Sequence, residues 1–126
     1  MILFMLLGNA ILALGTAIFV VPNGLISGGV TAAEGFTASG IHCGIRKNKS
    51  KKDLALIYSD TLCNAAAVYT TNLVKSAPIR ICQKHLADGK AQAVIVNSGN
   101  ANTCNADGDQ KALRMCQLVA EQAGVR

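Results

Sequence analysis

The chain has 126 residues, which suits one ordinary domain with a modest core. Trp is absent and aromatics are scarce, so that core is built from Ala, Val, Leu and other small or branched side chains. The net charge of +5 comes largely from one run, Arg46-Lys47-Asn48-Lys49-Ser50-Lys51-Lys52. The cysteines, Cys43, Cys63, Cys82, Cys104 and Cys116, are odd in number, widely spaced and form no CxxC. Neither His42 nor His85 shares a metal-ligand spacing with one. These features argue against a disulfide framework and a metal site, and point to reduced, buried thiols in a cytosolic protein.

No charged side chain precedes Glu34. Residues 1–21 are apolar apart from Asn9, Thr16, Gly8 and Gly15. A helix there, at ~1.5 Å per residue, is just long enough to cross a ~30 Å hydrocarbon core. Pro22-Asn23-Gly24 then breaks it. A secretory leader wants a basic start, and none is present, so a transmembrane helix is preferred to a signal peptide. A buried core helix is the third reading. Residues 7–15, followed by Phe19-Val20-Val21-Pro22-Asn23-Gly24-Leu25-Ile26-Ser27-Gly28-Gly29-Val30-Thr31, resemble the first span and loop of the YitT family of bacterial membrane proteins. That resemblance implies a membrane-anchored alternative without enzymatic activity, associated with the membrane through residues 1–21.

After Thr31 the composition becomes that of a soluble α/β or α+β protein. Residues 40–45 read as a short strand, the basic run as the turn after it, and residues 53–59 as the returning strand. A basic run can also serve nucleic acid or an acidic partner. No aromatic residues are interleaved for base stacking, so a solvated hairpin tip is preferred. Residues 65–71, with Val68, Tyr69, Thr70 and Thr71, predict another strand. Residues 77–82 and 91–96 predict two more. Ala93-Val94-Ile95-Val96 is a continuous apolar run, as in a buried central strand. A helix follows. Asp107 is its N-cap, with Gln110 placed for a capping box. Ala112, Leu113, Cys116, Val119, Ala120 and Ala123 form one apolar stripe, and Gly124 is its stop.

The segment Asn97-Ser98-Gly99-Asn100-Ala101-Asn102-Thr103-Cys104-Asn105 lies between that strand and that helix, where ligands bind in α/β structures. Gly and Asn tolerate left-handed backbone, so N–H groups can converge on one point and stabilise an oxyanion. An Asn-rich turn that satisfies its own backbone explains the composition equally well. Cys104 is a candidate nucleophile without a nearby acid–base histidine. His42 and His85 read as strand and loop-edge residues.

Gly29-Val30-Thr31-Ala32-Ala33-Glu34-Gly35-Phe36, Lys51-Lys52-Asp53-Leu54-Ala55-Leu56-Ile57, Tyr69-Thr70-Thr71-Asn72, Lys75-Ser76-Ala77-Pro78 and above all Val96-Asn97-Ser98-Gly99-Asn100-Ala101-Asn102 resemble, in order, the motifs of the ornithine acetyltransferase (glutamate N-acetyltransferase) family. The resemblance implies a mixed α+β layered sandwich, here an N-terminal partial domain over residues 29–126, preceded by one apolar helix in a separate segment, 1–28. It implies transfer of an acetyl group from N-acetylornithine to glutamate in arginine biosynthesis. It implies a cytoplasmic hetero-oligomer with a second, self-cleaved chain whose first threonine is the nucleophile. No cofactor and no nucleic acid are expected; some members of the family also accept acetyl-CoA. The family's oxyanion hole, a Thr-Gly pair, falls on Asn105-Ala106 when carried over without gaps, with Thr103-Cys104 as the competing placement. Asn97, Ser98, Gly99, Asn100 and Asn102 form the site loop. The threonine nucleophile has no counterpart among these residues, so the chain alone is expected to be inactive. Both resemblances share Gly28-Gly29-Val30-Thr31, as expected of a join at a short shared sequence. Strands that pair with a missing part leave open edges, so marginal stability is expected.

Overall fold

A computed structural model describes residues 28–125 with their side chains. Ahead of them it describes only the backbone of four short strands, Leu3–Leu6, Ala10–Ile11, Val20–Val21 and Gly24–Leu25. The rest of the apolar helix expected over residues 1–21 lies outside the described residues. The described pieces of that stretch are extended instead, which an apolar run permits because it does not by itself separate strand from helix. Among the described residues no helix is long and apolar enough to cross a membrane.

After a 3-10 turn at Gly29–Ala32 come strand β1 (Phe36–Ile41), strand β2 (Leu54–Asn64), a short strand β3 (Ala66–Val68), helix α1 (Ala77–His85), strand β4 (Lys90–Asn97) and helix α2 (Gly108–Ala123). Strands β1, β2 and β4 form an antiparallel sheet in the order β1-β2-β4. The fold is therefore mixed α+β, as expected, and its sheet is antiparallel. Ile41 pairs with Leu54, and Leu54 with Asn97, so one end of the sheet carries a cross-strand row of three strand ends. The turn after β1 and the loop after β4 both leave from that row.

Three expectations are corrected. The first strand ends at Ile41 rather than running to residue 45, because the backbone turns at Cys43 to reach the Asp53 carboxylate. Strand β4 lies at an edge of the described sheet, not at its centre, and its residues are half-buried. Residues 77–82 are helical. Pro78 sits in the first turn of α1, where a missing N–H costs nothing, and Ser76 precedes it in extended conformation. Lys84 lies in the last turn, where its charge complements the helix dipole, and His85 closes the helix.

The helices pack against each other, and α2 also reaches β4. Ala77 and Ile79 of α1 are the buried apolar centre. Gly108 opens α2, and a Cβ there would lie 3.1 Å from that of Ala77, so glycine lets the two first turns approach. Arg80 of α1 spans the same junction, donating from Nε to Asp109 at 2.9 Å and from Nη2 at 2.6 Å. The predicted stripe of α2 is its half-buried face, and Gly124 adopts the left-handed C-cap with φ 67°. Asp107 stands at the N-cap, but its side chain makes no capping bond. Its carboxylate pairs with Lys111 at 2.7 Å instead, and the capping box with Gln110 is not formed.

Candidate functional site

The loop from Asn97 to the start of α2 adopts the left-handed backbone that its composition suggested. Gly99 has φ 103°, Asn102 φ 55° and Cys104 φ 60°. Asparagine tolerates this region better than most residues, and Cys104 does not share that advantage. The loop is braced from inside. Asn102 Nδ2 donates to Asn97 Oδ1 at 2.7 Å, and the Asn102 N–H donates to Asn100 Oδ1 at 3.3 Å. Thr103 Oγ1 donates to the Ala101 carbonyl at 3.1 Å. The Asn102 carbonyl accepts the Ala77 N–H at 3.1 Å, which ties the loop to the first turn of α1.

The reading of the loop as a turn that satisfies its own backbone is realised in these bonds. The side chains of Asn97, Asn100 and Asn102 serve the backbone and one another. The N–H groups of Thr103, Cys104, Asn105 and Ala106, by contrast, donate to no acceptor among the described residues. The Asn105 carbonyl accepts the Gly108 N–H at 3.1 Å and so fixes the loop to α2.

A cleft of about 580 Å³ opens beside the loop. Asn97, Asn100, Asn102 and Asn105 line its polar side, and Ile81, Ile95 and Met115 are among the residues of its apolar side. Of the two candidate oxyanion pairs, only Asn105 lines this cleft; Ala106, Thr103 and Cys104 do not, and neither do Ser98 and Gly99. Lys111 and Asp107 stand together at the rim, where the Lys111 ammonium lowers the Asp107 carboxyl. Cys82 and Cys116 face the cleft from α1 and α2, and burial pushes both thiols up.

The five cysteines are free thiols; Cys43 and Cys104 are exposed and the others half-buried, so none is the buried thiol predicted. His85 is exposed at the end of α1. His42 lies in the turn after β1, with Nδ1 3.1 Å from both the Lys51 carbonyl and Asp53 Oδ2. Among the described residues no group of three His, Cys, Asp or Glu is placed to hold a metal ion.

Sequence reasoning missed Asp53 and Arg46. Asp53 is 2% exposed. Its Oδ1 accepts the Cys43 N–H at 2.7 Å and its Oδ2 the Arg46 N–H at 2.9 Å. These two backbone bonds hold the carboxyl well below the usual carboxylate range. Arg46 Nε in turn donates to Ser98 Oγ at 3.1 Å. The basic run is a solvated loop over most of its length, but its first residue bonds the loop after β4. The only sequence signal was an acid set directly between a run of four lysines and one arginine and an apolar strand.

A family model described as the ArgJ family matches residues 37–126. The arginine biosynthesis bifunctional protein ArgJ of Caldanaerobacter subterraneus is 48% identical over 98 residues, covering 77% of this chain and 24% of the relative. The protein of the same name from Gloeobacter violaceus is 50% identical over 101 residues, covering 79% and 25%. A crystal structure of ArgJ from Bacillus halodurans superposes with a TM-score of 0.74 at 42% identity, covering 79% of this chain and 52% of that one. The ornithine acetyltransferase of Mycobacterium tuberculosis, crystallised with ornithine, gives 0.70 at 38% identity, covering 75% and 50%. The chain therefore spans about a quarter of the length of the curated relatives it matches. With the family model covering most of its length, and the Asn-rich loop between β4 and α2 inside the match, the chain belongs to the ArgJ family.

Proposed function

We propose that this chain supplies the oxyanion side of an acetyltransferase site that moves the acetyl group of N-acetylornithine to glutamate in arginine biosynthesis. The observation that carries the reading is the left-handed loop after β4, whose N–H groups from Thr103 to Ala106 are unused by the protein. In the reaction, a threonine hydroxyl of the second, self-cleaved chain attacks the acetyl carbonyl, with the adjacent N-terminal amine as local base. The backbone N–H groups of Asn105 and Ala106 receive the charge that develops on the carbonyl oxygen. The tetrahedral intermediate collapses as the proton taken from the hydroxyl passes to the leaving nitrogen, which releases ornithine and leaves an acetyl-threonine; the amine of glutamate then attacks that ester and frees the threonine hydroxyl. Asn105 is preferred to Thr103 and Cys104 because it alone of these lines the cleft. The site loop of Asn97, Ser98, Gly99, Asn100 and Asn102 holds that pair in place.

The nucleophile and the second chain come from outside these residues, and the working assembly is a cytoplasmic hetero-oligomer. Residues 29–126 form the acetyltransferase part, with 1–28 as a separate segment; the family match beginning at residue 37 supports this division. The test is a hybrid in which residues 37–126 replace the matched segment of the Caldanaerobacter relative. The hybrid transfers acetyl from N-acetylornithine to glutamate, and the isolated chain does not. Ala106→Pro, which deletes one N–H, lowers kcat on the order of 10²-fold. A correctly assembled hybrid without transfer activity overturns the reading. Replacing N-acetylornithine with acetyl-CoA in the same assay shows whether that donor is also used.

A further inference from the structure

The buried Asp53 carboxylate takes no part in the chemistry above. A buried carboxylate is tolerated when its lone pairs are filled, and here the N–H groups of Cys43 and Arg46 fill them, with His42 Nδ1 3.1 Å away. Residues 43–46 are thereby closed into one shape around the charge. That shape brings Arg46 against the site loop. Its Nε donates to Ser98 Oγ at 3.1 Å, across 52 positions of sequence. Gly99 is seated so closely that a Cβ there would lie 2.7 Å from Arg46 Cγ and 3.2 Å from Ile45 Cγ2. The backbone adds a second tie, because the Ser98 N–H donates to the Asp53 carbonyl at 2.9 Å. The bracing then passes from Asn97 to Asn102 and on to the Ala77 N–H of α1.

We infer that Asp53 and Arg46 are positioning residues of the site loop. Asp53 fixes the turn; Arg46, carried on that turn, holds Ser98, and the N–H groups further along the loop keep their aim. The kinetic consequences rest on the acetyl-transfer reading, whereas the mechanical ones do not.

Two readouts on one set of variants test this. The set is Arg46→Met, Ser98→Ala, their double variant, Arg46→Lys and Asp53→Asn. In the full chain, amide hydrogen exchange at Asn102 and Ala77 is about tenfold faster in R46M and in S98A. The double variant adds nothing further, because both changes remove one bond. The Cys43 and Arg46 amides keep their rates in R46M and S98A, and R46K restores most of the loop protection. D53N accelerates the turn and the loop together; if D53N does not fold, R46M and S98A carry the test. In the hybrid enzyme, R46M and S98A lower kcat by about 10- to 100-fold with KM little changed. An active hybrid whose kcat is indifferent to R46M refutes the positioning role and leaves the acetyl-transfer reading standing. If the unaltered hybrid is inactive, that reading fails, and exchange decides alone: faster loop exchange in R46M supports the positioning role, and unchanged exchange refutes it.

Discussion

Gly99→Ala and Gly44→Ala form a pair that isolates the contact between the basic turn and the site loop. Both glycines have positive φ, 103° and 94°, so an alanine at either is strained. A residue held in such a region costs about 1–3 kcal/mol. The two differ in surroundings. A Cβ at Gly44 meets nothing within 4 Å, whereas at Gly99 it lies 2.7 Å from Arg46 Cγ. Cγ is close to the backbone and cannot swing away as the tip of a long side chain can, so Arg46 must shift and lose Ser98. A hydrogen bond from a charged group contributes about 1.5–3 kcal/mol, and a half-exposed one belongs at the lower end. Gly99→Ala should therefore cost about 1.5 kcal/mol more than Gly44→Ala. For a domain of this size that separates their melting points by about 6–12 °C. The assay is thermal unfolding of the full chain followed by circular dichroism, repeated in an Arg46→Ala background. Removing Cγ should bring the two glycine variants together. Equal melting points in the unaltered background would refute the close seating of Gly99 on Arg46.

Three further outcomes are expected. Asp53 binds its proton less readily folded than unfolded, so its contribution to stability is fully present above the ordinary carboxylate value and is lost as pH falls below it. Urea midpoints of the unaltered chain should drop more steeply below about pH 4 than those of Asp53→Asn, and parallel slopes would count against the buried clamp. Brief alkylation followed by peptide mapping should modify exposed Cys104 ahead of Cys82 and Cys116, whose thiols burial raises, and ahead of Cys43, also exposed but with its thiol raised by local desolvation and then by the neighbouring Asp53. Asn102→Gly keeps the left-handed backbone and Asn102→Ala does not, so urea unfolding should find the alanine variant about 1 kcal/mol less stable than the glycine one; the reverse order would mean that φ 55° is not the strained feature.

What was legible in the sequence is what local chemistry decides. The hairpin around the basic run, strand β4, the stripe of α2 and its Gly124 stop all follow from periodicity and end signals. The left-handed loop followed from its Gly and Asn content. Helix α1 was misread because Ala77-Pro78-Ile79-Arg80-Ile81-Cys82 fits either period. Alternation of Ile with Arg suggests a strand, while Ala77 with Ile81, and Ile79 with Cys82, also share a helical face. Pro78 after Ser76 was the deciding signal, since proline opens helices readily and interrupts strands. The side-chain cap expected of Asp107 failed for a different reason, because Lys111 one turn later offered the carboxylate a full charge. Asp53 was illegible because nothing local distinguishes a buried acid from a solvated one beside a run of lysines.

The position of the site nevertheless follows from the sheet. Ile41, Leu54 and Asn97 stand in one cross-strand row, so whatever follows Ile41, precedes Leu54 or follows Asn97 must gather at that end. Antiparallel pairing of neighbouring strands in this register leaves the turn after β1 and the loop after β4 no other place to leave from. The Ser98 N–H to Asp53 carbonyl bond continues the ladder one step past the strand ends. Asp53 is then the first residue beyond the ladder on the central strand, flanked by both loops, and a carboxylate there can bond the turn on one side while its backbone holds the site loop on the other. A change of one residue in the β2–β4 register would turn Asp53 to the opposite face and separate these two functions. The irregularity between Tyr58 and Cys63 lies toward the other end of β2, so the pairs from Leu54 to Tyr58 run unbroken up to the site. Uninterrupted pairing there is what the loop requires: its own side chains brace Asn97 against Asn102, but among the described residues only the sheet and the turn tie Ser98 and Gly99 to the rest of the molecule.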